Sequence, residues 1–154
     1  MALDERLQTI RHSCAHVMAE AVKHLYPNAK IAIGPAIDNG FYYDFDFGTE
    51  KLSDTDFPAI EKEMRKILVG NHDFIRKEVS KAEALELFKD EPYKIELIND
   101  LPDGETITTY EQDGYLDLCR GPHVSNTKEI NGQAFKLNKI AGAYWRGDAT
   151  KAQL

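Results

Sequence analysis

A run of apolar residues near the N terminus constrains the fold more than any other feature. Ile10, Cys14, Val17, Met18, Ala21, Val22 and Leu25 recur at the spacing of one helix face, and Pro27-Asn28 ends the pattern. The spacing predicts a helix from about Asp4 to Tyr26. A helix with one apolar stripe needs a second layer to cover it, and the following residues provide one. "IAIGPAIDNGFYYDFDF" reads as two strands joined at Asp38-Asn39-Gly40, where Asn-Gly is expected to supply the positive φ angles of a tight hairpin. A second helix is expected from about Thr55 to Val69, with Ile60, Met64, Ile67 and Leu68 on one face and Gly70 as its stop.

Farther along, Phe74 to Val79 reads as a strand. Ser80 and Glu83 have capping-box spacing ahead of "ALELFKD", which starts a third helix, and Pro92 opens a fourth, short one. "ETITTYEQDGYLDLC" is a hairpin turned by Asp113-Gly114. "AFKLNKIAGAYW" alternates as a further strand would, and Asp148 or Thr150 could cap a last helical turn too short to stand alone. The expectation is an α+β domain of about five strands and four helices, an antiparallel sheet with helices packed against it. It is read as one domain over residues 1–154, cut from a longer protein.

Composition narrows the function classes. A chain of 154 residues, 42% hydrophobic and 29% charged, can bury a core and is neither fibrous nor disordered. No apolar run approaches the roughly 20 residues of a bilayer span, and "MALDERLQTI" lacks the apolar stretch of a signal peptide, so a cytoplasmic, membrane-free protein is expected. Cys14 and Cys119 do not make a disulfide framework. The net charge of -7 argues against a general nucleic-acid binder, yet Arg120, Lys128, Lys136, Lys139, Arg146 and Lys151 stand against only Glu129 and Asp148 after Cys119, a local +4 that could hold one RNA end.

Two short segments carry the chemistry. "RHSCAHVMAE" places His12 and His16 four residues apart, on the helix side opposite the apolar stripe and hence outside the core. "LDLCRGPHV" sends Tyr115, Asp117 and Cys119 to one face of a strand and Leu116 and Leu118 to the other, while Gly121-Pro122 turns His123 back toward Cys119. If the segments meet, His12, His16, Cys119 and His123 make an acceptable zinc ligand set. The same imidazoles, beside a lysine, would serve metal-free hydrolysis by taking a proton from water. The bland alternatives are two solvated histidines and a small buried thiol. Spacing leaves all of these open.

Taken together, "HSCAHVMAEAV", "IGPAIDNGFYYDF", "PYKIEL", "DLCRGPHV" and "FKLNKIAGAYWRGD", in this order, resemble the editing domain of bacterial-type threonyl-tRNA synthetases, also called the second additional domain. The resemblance runs from about Arg6 to Asp148. Alanyl-tRNA synthetase editing domains share the His and Cys-x-x-x-His pairs, but "GFYYDF" and "GAYWRGD" favour the threonyl branch.

The resemblance implies a domain that hydrolyses serine wrongly esterified to threonine tRNA. One missing methyl distinguishes serine from threonine and gives a pocket only about 1–3 kcal/mol of discrimination, so a second site has to remove the errors. By motif, His12, Lys94 and His16 are the implied catalytic residues, with His12 activating water and Lys94 orienting water and the terminal ribose. Asp117 is implied to meet the substrate ammonium, and Cys119, His123 and Tyr43 to shape the substrate pocket. No cofactor is implied to be required, although alanyl relatives hold zinc at the equivalent of His12, His16, Cys119 and His123. The implied partners are the serine-bearing acceptor end of tRNA(Thr) and the remaining synthetase domains, and this piece is expected to be a deacylase without ligase activity. A free-standing zinc hydrolase acting on alanyl-tRNA and a non-catalytic module binding the tRNA end are the rival readings.

Overall fold

The computed structural model describes residues 3–147, 150, 151, 153 and 154. The N-terminal stripe forms α1, Leu3–Leu25. Its burial exceeds one stripe: every residue from 13 to 22 is buried, because α2 packs along one side, the first hairpin along another, and residues 112–124 close over Ser13, His16 and Glu20. His16 is only 2% exposed. This corrects the expectation that both histidines lie outside the core; only His12, one turn earlier, stays partly exposed. The helix side away from the apolar stripe is covered by polar partners instead of water, an arrangement that apolar periodicity does not reveal.

The first hairpin is built from four short strands, β1 Lys30–Ile31, β2 Ala36–Ile37, β3 Gly40–Phe41 and β4 Phe45–Asp46. β1 pairs with β4 and β2 with β3, both antiparallel, with the register shifted by one residue between the two pairs. Backbone bonds from Ala32 N to Asp44 O and from Asp44 N to Ile33 O bridge the gap. Its turn does not use positive φ at Asn39 or Gly40, contrary to expectation. Side chains of α1 hold it instead, Arg11 donating to the Asp38 carbonyl at 2.7 Å and Gln8 to that of Ile37 at 3.4 Å.

After a short 3-10 turn comes α2, Phe57–Val69. Gly70 keeps an ordinary φ of -74°, and the left-handed residue that ends the helix is Asn71, at φ 55°. The main sheet is β5 Ile75–Val79, β6 Ile107–Gln112 and β7 Tyr115–Leu118, antiparallel in that order. Gln112 pairs with Tyr115, leaving Asp113 and Gly114 at φ 51° and 79° as the two-residue turn their sequence demands. Between β5 and β6 lie α3, Lys81–Leu87, and α4, Pro92–Asn99. Ala84 of α3, Phe88 just after it and Ile98 of α4 gather with Ile107 into a core of their own, on which Leu116 and Leu118 pack. Ser80 and Glu83 close the expected capping box at the start of α3.

The expected strand over "AFKLNKIAGAYW" does not form. Phe135 and Leu137 instead pack singly against the main core, and Trp145 is buried against Tyr93, its indole N–H donating to Glu96 at 2.7 Å. Among the described residues the segment's β pairing is limited to an isolated antiparallel bridge of Tyr144 with Gln153, beside which Ala143 and Leu154 exchange backbone hydrogen bonds. Asp148, one of the two candidate caps of a final helical turn, lies outside the described residues, and Thr150 sits in a turn. Among the described residues the architecture is α+β, with four α-helices and small antiparallel sheets, although the strands are shorter and more divided than the sequence suggests. Among the described residues no helix is long and apolar enough to cross a membrane.

Candidate active site

Three segments far apart in sequence converge at the first half of α1. From α1 come His12, Ser13 and His16; from the start of α4, Lys94; from β7 and the turn after it, Asp117, Cys119 and His123. The turn is tight because Gly121 takes φ 78° and lies against Tyr110, where any Cβ would collide with the phenol. His123 thereby folds back so that its Nε2 lies 3.2 Å from Cys119 Sγ, and His12 Nε2 lies 3.3 Å from the same sulfur. Gly121 N–H donates to that sulfur at 3.2 Å. The three imidazoles form one cluster, with ring centres 4.2–5.2 Å apart.

Ser13 orients His123, and sequence reasoning passed over it. Its hydroxyl lies 2.9 Å from His123 Nδ1, accepts from Val124 N–H at 3.0 Å and reaches the Thr9 carbonyl at 3.0 Å. That fixes which ring nitrogen of His123 meets Cys119. Phe74 stacks on His123 and Tyr110 meets its face edge-on. No local sequence signal marks Ser13: its hydroxyl is fully buried because His123 and Val124 close over it from more than 100 residues away.

Beneath this cluster lies a buried ion pair. Lys94 Nζ is 2.8 Å from Asp117 Oδ1, with the two side chains 3% and 1% exposed. Asp117 also accepts from Tyr43 Oη at 2.6 Å, Tyr115 Oη at 3.1 Å and Leu118 N–H at 2.7 Å, and His16 Nε2 stands 3.5 Å away. This arrangement sets the surroundings of two residues expected at the substrate. Both oxygens of Asp117 accept from protein donors, and the side chain is 1% exposed. Tyr43 is buried behind Asp117, stacked on Phe45 and packed against Gly34, whose lack of a side chain makes room for the ring. Tyr43 thus holds the Asp117 carboxylate through its hydroxyl. His12, Cys119 and His123 are the partly exposed members.

Electrostatics keep the imidazoles neutral. Burial lowers the pKa of His12, partly countered by a hydrogen bond to the Pro122 carbonyl and by the charge of Asp117. Burial takes His16 down to about 4 despite Asp117, and burial together with its two imidazole neighbours takes His123 far below its ordinary value. Burial pushes the Cys119 thiol up to about 12, so the sulfur is a neutral S–H. Burial alone would raise Asp117, but Lys94 and then His16 hold it below the usual carboxylate value. The result is a neutral base, His12, within reach of solvent, above a fixed positive and negative charge.

The same cluster suits a zinc-class ion. One ligand atom each from His12, His16, Cys119 and His123 lies within 4.8 Å of the others, and His16 Nδ1 is buried without a hydrogen-bond partner. The Ser13 contact to His123 and the Pro122 contact to His12 are of the kind that orients metal-bound imidazoles. Loading would require loss of the Cys119 proton.

The basic stretch after Cys119 is less free than its sequence suggests. Arg120 pairs with Glu105, and Arg146 with Asp100 and Glu96, leaving Lys128, Lys136, Lys139 and Lys151 as its exposed lysines.

Residues 107–154 match the family described as Threonyl and Alanyl tRNA synthetase second additional domain. Over 146 residues, 95% of the chain, the sequence is 56% identical to a threonine-tRNA ligase of Enterococcus faecalis, covering 22% of that protein. A threonine-tRNA ligase of Desulforapulum autotrophicum is 55% identical over 97% of the chain, and one of a Geobacillus species 52% over 99%, each match covering 23% of the relative. The chain thus spans about a quarter of the length of the curated relatives it matches. The part of the site that lies in β6, β7 and the turn to His123 falls within residues 107–154, so that part matches the second additional domain of the threonyl- and alanyl-tRNA synthetases, while the chain as a whole is similar to a segment of threonine-tRNA ligases.

Proposed function

We propose that this domain edits: it hydrolyses the ester of serine mischarged onto threonine tRNA, in the cytoplasm, as one part of a synthetase. The observation that carries the reading is the convergence of His12, His16, Cys119 and His123 above the buried Lys94–Asp117 pair, in a chain that matches threonine-tRNA ligases. His12 takes a proton from water as the oxygen attacks the ester carbonyl, a role suited to a neutral imidazole. The ribose oxygen leaves with that proton, so ester and water become serine and a free tRNA terminus. Lys94 gives one of its three N–H donors to Asp117; its remaining donors reach the attacking water and terminal ribose once substrate binding opens this ammonium, 3% exposed in the free domain, to the pocket. Asp117 acts as a positioning residue for Lys94 and His16, held by Tyr43 and Tyr115. Cys119 and His123 form the wall against which the amino acid lies.

The reaction needs no metal in this proposal, since the protein itself supplies a base and a cation. Should zinc bind, His12, His16, Cys119 and His123 would hold it, and it would supply Lewis acidity toward water or the carbonyl. Incubating the domain with seryl-tRNA(Thr) in the presence of a chelator tests the reading. The expected result is release of serine well above the rate of buffer alone; an unchanged ester lifetime, or activity restored only by added zinc, would contradict it.

A further inference from the structure

Two helical turns beyond His12 and His16, α1 presents a second group of ligand-type side chains on the same ladder of four-residue steps, Glu20 and His24, which the proposed reaction does not use. Glu20 is fully buried. Its Oε1 accepts from Gln112 at 3.2 Å, while its Oε2, equally buried, has no hydrogen-bond partner. His24 Nε2 approaches Oε2 to 3.5 Å, and Asp113, from the β6–β7 turn, adds a further carboxylate. One ligand atom from each of Glu20, His24 and Asp113 lies within 4.8 Å of the others.

The hydrogen bonding around this group leaves it short of positive charge. His24 Nδ1 lies 2.9 Å from Glu63 Oε1 on α2. If that nitrogen carries the proton, as a carboxylate partner favours, Nε2 turns a lone pair toward two carboxylates, and the one donor left to bridge the three acceptors is a carboxyl proton shared by Glu20 and Asp113, which a metal ion would replace. His72 Nε2, 3.5 Å from Asp113 Oδ1, stands at the edge of the same group. Glu63 behind His24 has the arrangement by which an outer carboxylate orients a metal-bound imidazole. Side-chain exposures of 42% for His24 and 34% for Asp113 leave an ion a way in.

We propose that Glu20, His24 and Asp113 bind one divalent metal ion of the first transition row, distinct from the Cys119 cluster, tying α1 to the β6–β7 turn. Two carboxylates and one imidazole favour manganese or zinc over soft, thiolate-seeking ions. The ion would fasten the turn from which Gln112 reaches both Glu20 and the backbone carbonyl of His16, one helical turn from the editing site.

Manganese(II) titration of the whole chain, followed by paramagnetic broadening of backbone amide signals, tests this. Manganese avoids the thiolate and imidazole set around Cys119, so the two sites are read separately. The expected result is selective broadening at Asp113, Gly114 and the α1 residues around Glu20, with a rise in Tm. Both effects should be lost in Asp113→Asn, which keeps a residue tolerant of the left-handed turn, and in His24→Gln, a change at an exposed side chain. Broadening centred on Cys119 and His123, no broadening, or identical behaviour of both variants and the unaltered chain would overturn the proposal. The rival in which a proton on Glu20 supplies the missing donor predicts that Glu20→Gln retains stability and that manganese has no effect, and that outcome also overturns it.

Discussion

At position 117 a carboxylate 1% exposed to solvent is surrounded by four donors, from Lys94, Tyr43, Tyr115 and the Leu118 backbone. Side chains buried this deeply are costly to break singly. Asp117→Asn would leave the Lys94 ammonium buried without its countercharge and is expected to destabilise the fold by about 3–5 kcal/mol, measured by denaturant unfolding. Lys94→Ala should cost less stability, because three donors to Asp117 remain, and should still abolish hydrolysis. His12→Ala should behave differently from both. His12 is partly exposed and contributes little packing, so its loss is expected to slow serine release by roughly 10² or more while Tm stays nearly unchanged; an unfolded or fully active variant would contradict its role. The residue types of this site were legible in the sequence through the His-x-x-x-His and Asp-x-Cys-x-x-x-His spacings. Their division of labour was not. Tyr43 and Asp117 are both buried and bonded to each other, and burial depends on which segments from elsewhere in the chain cover a face. Ser13 was missed for the same reason, since its partners His123 and Val124 lie more than 100 residues away.

Among the elements, the helices and the β6–β7 hairpin were readable because their determinants are local. The capping box of α3 is one example. Ser80→Ala removes the acceptor of the Glu83 N–H and should cost about 1 kcal/mol, seen as a shift in denaturant midpoint. The divided first hairpin and the irregular 134–145 segment were not readable, because alternation marks a strand only where a partner strand lies beside it. Turns held by distant side chains escape local rules in the same way, as Arg11 and Gln8 do at Asp38 and Ile37. The short 3-10 turn Thr127–Glu129 gives a pH test. Glu129 is held below the ordinary carboxylate value first by Arg6, against a small opposing effect of burial, and then by the N–H groups of Asn126 and Ser125. A lowered folded-state pKa stabilises above the unfolded value and is lost as pH falls through the folded one. The stability advantage over Glu129→Gln should therefore be present at pH 7 and should fade as the pH drops below about 4.3. An advantage that persists in acid would contradict this.

For the whole molecule, charge limits what the domain does alone. A chain of net -7 whose basic stretch has its two arginines in ion pairs offers tRNA few phosphate contacts. Binding of tRNA by this chain alone is expected to be weak and to fall steeply with salt, which a filter-binding series across ionic strength would show. Tight, salt-insensitive binding would contradict it. The central claim is that this is an editing site, and selectivity tests it most directly. Seryl and threonyl esters share the ammonium, carbonyl and hydroxyl, so a site of neutral imidazoles over a buried ion pair separates them only by the extra methyl. That methyl has to displace the carbonyl or the attacking water, and a misplacement of about 1 Å can cost on the order of 10²-fold in rate. Single-turnover hydrolysis of seryl-tRNA(Thr) and threonyl-tRNA(Thr) at saturating enzyme is the decisive measurement. The account predicts a much faster chemical step for the seryl ester; equal rates, or a preference confined to binding, would contradict it.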